Sequence, residues 1–190
     1  AASPRAREPY LIVNCGAFHD ELLVSHLFGH ERGAFTGATE RREGVFEQAH
    51  RGTLFLDEVA NLSRAAQARL LRVVEYQTFQ RVGGTASIEV DVRVVAATNA
   101  DLEALIERGD FMADLHDRLR FAEVVLPPLR QRPEDVPLLV EHFIARLHEE
   151  LPDLGAARFS EAALAALAGY SWPGNVRELR NVVERLYVCD

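Results

Sequence analysis

The chain has 190 residues, 48% hydrophobic and 26% charged, enough for one sizeable core or a core with a small subdomain, and it carries no low-complexity tract. No run of about 18 apolar residues occurs, so no membrane helix is expected, and "AASPRAREPYLIV" lacks the apolar centre of a secretory signal. Two cysteines, Cys15 and Cys189, are too few for a disulfide framework and suit a reducing cytoplasm, while a net charge of −8 argues against a nucleic-acid-binding surface on this segment.

Four apolar stretches read as buried strands: "YLIVN" at 10–14, "TLFLDE" at 53–58, "VDVRVVAATN" at 90–99 and "FAEVVLPPL" at 121–129. Helical patterns lie between them. Residues 63–75 gather Ala66, Leu70, Val73 and Val74 on one face behind Ser63 as N-cap, and 101–108 run from a capping Asp101 to Gly109. Strands alternating with helices imply a parallel sheet covered on both faces. After about residue 130 only helices are expected. The first opens on Pro133, Glu134 and Asp135 with an apolar face of Val136, Val140, Phe143, Ile144 and Leu147. The second begins at Ser160 and ends at Gly169. The last starts near Asn175, with Glu178 completing a capping box. The division is therefore an α/β unit over 1–130 and a helical unit over 131–190.

Ligands of open α/β sheets bind outside the carboxyl ends of the strands. "TLFLDE" places Asp57 and Glu58 at such an end, the Walker B arrangement. The first acid would hold Mg²⁺, usually through water, and the second would orient an attacking water. The plainer alternative is that the pair caps the next loop. "VVAATN" ends in Thr98 and Asn99, whose amide can bond both a water and a γ-phosphate, although an asparagine there is commonly a turn residue. Arg177, at the start of the last helix, could reach a phosphate with its planar fork, and Arg118 lies in a helix just before the 121–129 segment. For each arginine the alternative is a surface salt bridge. His26 and His30 are spaced like helical metal ligands, but Gly29 interrupts them and no acidic partner follows. Trp172 reads as a packing residue.

The stretch "GHERGAFTGATE", residues 29–40, sets Phe35 in a segment too glycine-rich to bury it reliably. The ring is either folded inward in a tight hairpin or offered to a partner, with Gly33 and Gly37 letting the loop move.

The ordered set "VNC", "SHLFGHE", "GAFTGA", "GTLFLDE", "RVGG", "VRVVAATN", "DRL", "LPPLR" and "WPGNVRELRNVVER" resembles the central AAA+ ATPase domain of bacterial enhancer-binding proteins, the activators of sigma-54 RNA polymerase, over essentially the whole chain. "ADLHDRLRF" and "NVVERLYV" are most similar to the phage-shock branch of that family. The resemblance implies a P-loop NTPase-type α/β sandwich followed by a helical lid, with ATP and Mg²⁺ as cofactors. It implies a ring, a hexamer, in which hydrolysis remodels the sigma-54 RNA polymerase holoenzyme at a closed promoter. By the same resemblance Asn14 restrains the catalytic glutamate, Thr98 and Asn99 form sensor I, and Arg177 forms sensor II. Arg118 acts in a neighbour's site. The loop Gly33, Ala34, Phe35, Thr36, Gly37, Ala38 touches sigma-54, and "RVGG", Arg81 to Gly84, moves with it.

Two departures stand out. The phosphate-binding pattern G-x-x-x-x-G-K-[ST] occurs nowhere in the 190 residues. The resemblance places it, with its strand, ahead of Ala1, so the chain by itself is expected to bind ATP poorly or not at all. Met112 stands where the family often has a second arginine, which puts the full strength of hydrolysis between subunits in doubt. Enhancer DNA is expected to be bound by a helix-turn-helix domain beyond Asp190, and a regulatory domain, as in two-component systems, would lie outside the segment. The alternatives are a non-catalytic AAA+ interaction module and an AAA+ remodeller of another protein client.

Overall fold

The computed structural model describes residues 3–152 and 159–189 and divides into two compact units, residues 1–123 and 124–190. In the first unit β1 (Tyr10–Asn14), β2 (Thr53–Asp57) and β5 (Arg93–Ala96) form a parallel sheet in the order β1-β2-β5. Strand alternation puts Val13, Leu54 and Leu56 on a buried face. There they join a core with Leu23 and Leu27 of α1 (Asp20–Phe28), Val45 and Phe46 of α2 (Val45–Gln48), and Ala66, Leu70 and Val73 of α3 (Arg64–Tyr76). The opposite face departs from the expected two-sided cover. Tyr10 and Ile12 remain exposed, with Phe55 and Val95 only half-buried, among the described residues.

The helix signals translate directly into caps. Ser63 accepts from the Ala66 N–H at 3.2 Å and Asp101 from the Ala104 N–H at 3.1 Å, ahead of α4 (Leu102–Glu107). A two-stranded antiparallel pair, β3 (Thr78–Phe79) with β4 (Ile88–Glu89), was not anticipated. β4 ends just ahead of the expected 90–99 strand, which shortens to β5. Phe79 closes a cluster with Phe28 and Phe46, ring centroids 5.4 to 6.0 Å apart.

Gln67 is the polar exception in this core. Fully buried on α3, it donates to the carbonyls of Leu62 at 2.8 Å and Asp110 at 2.9 Å and accepts from the Met112 N–H at 2.8 Å. One side chain therefore pins the connection between α4 and α5 (Ala113–Leu119) to α3, and so fixes the helix that carries Arg118.

The expected strand at 121–129 does not form. A turn at 120–121 leads into irregular backbone up to Pro128, then a short 3-10 turn, Leu129–Gln131. Phe121 is 97% exposed and Val124, Val125 and Leu126 are each at least 77% exposed. A strand exists only through a neighbour's backbone, and this segment has none among the described residues; Pro127 and Pro128 also withhold two donors.

The second unit is helical: α6 (Asp135–Glu150), α7 (Glu161–Ala168) and α8 (Asn175–Cys189). Val136, Val140 and Leu147 pack with Leu129, Trp172, Leu179 and Val183. Ser160 caps α7 by accepting from the Ala163 N–H at 3.2 Å. Trp172 is buried, and its indole N–H donates to the Leu167 carbonyl at 2.7 Å. The expected capping box of α8 is rearranged. Asn175 spends its side-chain oxygen on the Leu129 N–H at 2.9 Å, and Glu178 accepts from Gly174 N–H at 2.8 Å instead. A longer-range bond to the core segment outcompetes the local cap.

Candidate functional site

The parallel register sets Asn14 opposite Asp57 at the carboxyl ends of β1 and β2. Past those ends the backbone remains laced. The Cys15 N–H donates to the Asp57 carbonyl at 2.9 Å, Ala97 N–H to the Leu56 carbonyl at 2.8 Å, and Val59 N–H to the Ala97 carbonyl at 3.1 Å. Asn14, Asp57–Glu58 and Thr98–Asn99 consequently emerge along one rim of the sheet. Asp57 Oδ1 accepts from the Glu58 N–H at 3.0 Å. Glu58 itself is left-handed, φ 56°, which turns its side chain out of the strand direction before the 3-10 turn Val59–Asn61.

Asn14 does not grip Glu58. Its Oδ1 accepts from the Gly16 N–H at 2.8 Å, while Glu58 Oε2 accepts from Asn61 Nδ2 at 3.2 Å. Gly16 comes so close that a Cβ there would lie 2.3 Å from Glu58 Oε2. Neither Asn61 nor Gly16 was flagged by the sequence reading. The available signal was an amide three residues past the second acid, within reach across one tight turn. On the remaining strand end Thr98 Oγ1 accepts from the Ala100 N–H at 3.0 Å and Asn99 is exposed.

Cys15 lies sealed beneath this rim, 1% exposed. Burial, reinforced by the carboxylates of Asp57 and Glu58, pushes its thiol up to about 12, so it stays protonated and is no nucleophile.

Arg118 belongs to the first unit and Arg177 to the second. Arg118, on α5, directs Nε and a terminal nitrogen to one oxygen of Glu75 on α3, each at 2.8 Å, and is itself exposed. This is the surface ion pair of the plainer reading. Met112 is half-buried against the core and serves as the residue preceding α5. Arg177 is exposed in the first turn of α8, in the second unit.

The glycine-rich loop is more ordered than its composition suggests. His30 and Arg42 close its base with reciprocal backbone bonds of 2.9 and 3.0 Å, and Gly33 N–H reaches the Ala38 carbonyl at 2.8 Å. Gly33 and Gly37 take φ of 82° and 100°, values an L side chain strains to adopt. Phe35 is neither sealed nor free. It is 38% exposed, and its ring meets the imidazole of His30 edge-on at 5.0 Å. His30 Nδ1 is in turn bonded to the Ser25 hydroxyl at 2.8 Å, a buried pair that forms a seat for the ring. The "RVGG" segment is tied to the same loop. Glu31 N–H donates to the Val82 carbonyl at 3.0 Å, and the Cβ that Gly83 lacks would stand 2.8 Å from Ala34 Cβ. Arg81, buried, donates to Glu31 at 2.9 Å and to both carboxylate oxygens of Glu47.

This geometry meets a consistent set of similarities. Residues 1–125 match the model of the sigma-54 interaction domain, and residues 130–190 match that of an AAA+ ATPase lid domain. The chain is 52% identical to the Nif-specific regulatory protein of Herbaspirillum seropedicae and 51% identical to the Psp operon transcriptional activator of Escherichia coli. Each alignment covers 96% of this chain, but 34% and 56% of those relatives, so the chain spans only part of their length. Among solved structures, NtrX from Brucella abortus in complex with ATP superposes with a TM-score of 0.89 at 40% identity, over 97% of this chain and 40% of NtrX. This chain belongs to the sigma-54 interaction domain family and carries an AAA+ ATPase lid domain after it.

Proposed function

We propose that the protein containing this chain is a sigma-54-dependent transcriptional activator that hydrolyses ATP in a ring, a hexamer, to remodel the sigma-54 RNA polymerase holoenzyme at a closed promoter. The observation that carries the reading is the register-locked meeting of Asn14 with Asp57, continued by a left-handed Glu58 and by Thr98–Asn99 on the adjoining strand end. The hard oxygen donor of Asp57 suits Mg²⁺ held largely through water, and the bound ion would neutralise phosphate charge. Glu58 orients the attacking water. Asn14 and Asn99 read the state of the site from the two flanking strands. Arg177 is assigned to phosphate recognition, and Arg118, released from Glu75, to stabilising charge in a neighbour's site. The pattern G-x-x-x-x-G-K-[ST] does not occur within the 190 residues, so these residues supply the metal and water sides of the site and arginine contacts to phosphate, but not the backbone cradle. The division of labour follows the α/β subdomain over 1–130 and the helical lid over 131–190.

The loop from Gly33 to Ala38 is the part offered to sigma-54, with Phe35 as its anchor. Support comes from the ring's partial exposure and its weak edge-on seat, which cost little to leave. Enhancer DNA is assigned to a separate helix-turn-helix domain and the whole protein to the cytoplasm. In the full-length protein, ATP turnover per subunit is expected to rise with protein concentration. Phe35→Ala is expected to keep hydrolysis while losing sigma-54 binding. Normal transcription by Phe35→Ala overturns the loop assignment; absence of turnover at every concentration favours the non-catalytic module.

A further inference from the structure

We infer that Asn61, with the bare Cα of Gly16, sets the pose of the Glu58 carboxylate, making Asn61 a positioning residue for water activation. The inference rests on the reading of Glu58 given above. Glu58 leaves its strand in the left-handed region, so the backbone directs its side chain back over the following turn rather than along the sheet. The 3-10 turn Val59–Asn61 then places the Asn61 amide under it, donating to Oε2 at 3.2 Å. Asn61 N–H closes the turn on the Glu58 carbonyl at 3.0 Å, so the same two residues are bonded through backbone and side chain. The opposite side of the carboxylate is bounded by Gly16, where any Cβ would collide with Oε2 at 2.3 Å and with Asn61 Nδ2 at 2.7 Å.

The chemistry fits a holder rather than a spectator. An amide N–H bound to one carboxylate oxygen restricts rotation about the last torsion and leaves the other oxygen to accept from a water. The terminal torsion of glutamate is otherwise broad, and misorientation of a water-activating group lowers the chemical step without weakening substrate binding. Among the described residues the amide that donates to Glu58 is that of Asn61 and not of Asn14, whose oxygen accepts from the Gly16 N–H at 2.8 Å. Gly16 thus serves both asparagines: its N–H fixes Asn14 and its missing side chain gives Asn61 and Glu58 room to meet.

The experiment compares full-length proteins carrying Glu58→Gln, Asn61→Asp, Asn61→Ala, Asn61→Gln and Gly16→Ala in steady-state ATP turnover. Binding of a fluorescent ATP analogue and crystal structures of the wild-type and Asn61→Asp proteins accompany the kinetics. Asn61→Asp keeps the size and removes the donor; it is expected to lower kcat about tenfold, and Asn61→Ala about fivefold, with KM and analogue affinity unchanged. Asn61→Gln, which retains the amide, restores most of the rate. Gly16→Ala lowers kcat like Asn61→Ala, because its methyl displaces only the movable end of Glu58. The Asn61→Asp crystal shows the Glu58 carboxylate turned away from residue 61. If Glu58→Gln leaves turnover intact, the assignment of Glu58 fails, and the inference with it. If Glu58→Gln abolishes turnover while Asn61→Asp and Asn61→Ala match the wild type, the inference alone is overturned. A rise in turnover on losing the amide overturns it too, since Asn61 would then restrain Glu58 rather than aim it.

Discussion

Replacing Gln67 by leucine tests how the helix that bears Arg118 is held. The side chain has no exposed surface and makes three hydrogen bonds, to the carbonyls of Leu62 and Asp110 and from the Met112 N–H, at 2.8, 2.9 and 2.8 Å. Leucine has nearly the same volume, so the cavity contribution is small and the loss is that of polar partners. Asp110 is exposed and its carbonyl can turn to water, whereas Leu62 is buried and Met112 half-buried. Two stranded backbone groups at about 1–3 kcal/mol each, offset by about 1–2 kcal/mol for the added buried apolar surface, give a net destabilisation of about 3 kcal/mol. For a chain of this size that corresponds to a fall in Tm of about 6–12 °C. The more specific readout is local. Amide hydrogen exchange at Met112 should lose its protection in the variant, and turnover by the full-length protein should fall with it as α5 loosens. Unchanged protection at Met112, with a Tm within about 2 °C of the wild type, would refute the idea that Gln67 anchors this helix.

Gly83→Ala combines a strained φ of 74° with a Cβ 2.8 Å from Ala34 Cβ, so it should push the Phe35 loop off its seat; the check is weaker sigma-54 binding with ATP turnover retained. Cys15, its thiol pushed up to about 12 by burial and the two neighbouring acids, should resist iodoacetamide at pH 8 in the folded protein and react only after denaturation, as read by mass spectrometry. Burial, with Arg42 as a lesser cause, holds His26 below the ordinary imidazole value of 6.5. The unfolded chain therefore takes up that proton more readily. The stability His26 contributes is present above about pH 6.5 and is lost as pH falls through its lowered folded value, so a His26→Leu variant should show a shallower loss of Tm on acidification.

The strand ends were legible because parallel pairing needs little beyond an apolar run and a polar stop. Asn14, Asp57 and Asn99 needed no knowledge of tertiary contacts to be placed on one rim. Ser63, Asp101 and Ser160 were equally readable, since an N-cap bonds within its own first turn. What escaped the sequence was decided by distant partners. Asn175 abandons the local cap because the Leu129 N–H competes for its oxygen. The apolar run at 121–129 reads as a strand, but propensity cannot supply a neighbour for its ladder. Arg118 looks like any helical arginine until Glu75, 43 residues earlier, is folded beside it. Gln67 did leave a trace: a polar residue on the same stripe as Leu70 and Val74 signals a buried side chain with partners to satisfy. The Phe35 loop fell between its two readings, because a half-seated ring is encoded jointly by the loop and by the Ser25–His30 pair beneath it.

Position 58 sets durability against chemistry. A non-glycine residue in the left-handed region costs on the order of 1 kcal/mol, and glycine would occupy the same backbone without that penalty. Selection for heat resistance alone would therefore favour Glu58→Gly, a sturdier protein with no carboxylate to turn toward water. Arg51, Gln77, Trp172 and Asn175 also take positive φ, so at position 58 the cost gains a functional meaning only through the water-activating role proposed for the carboxylate.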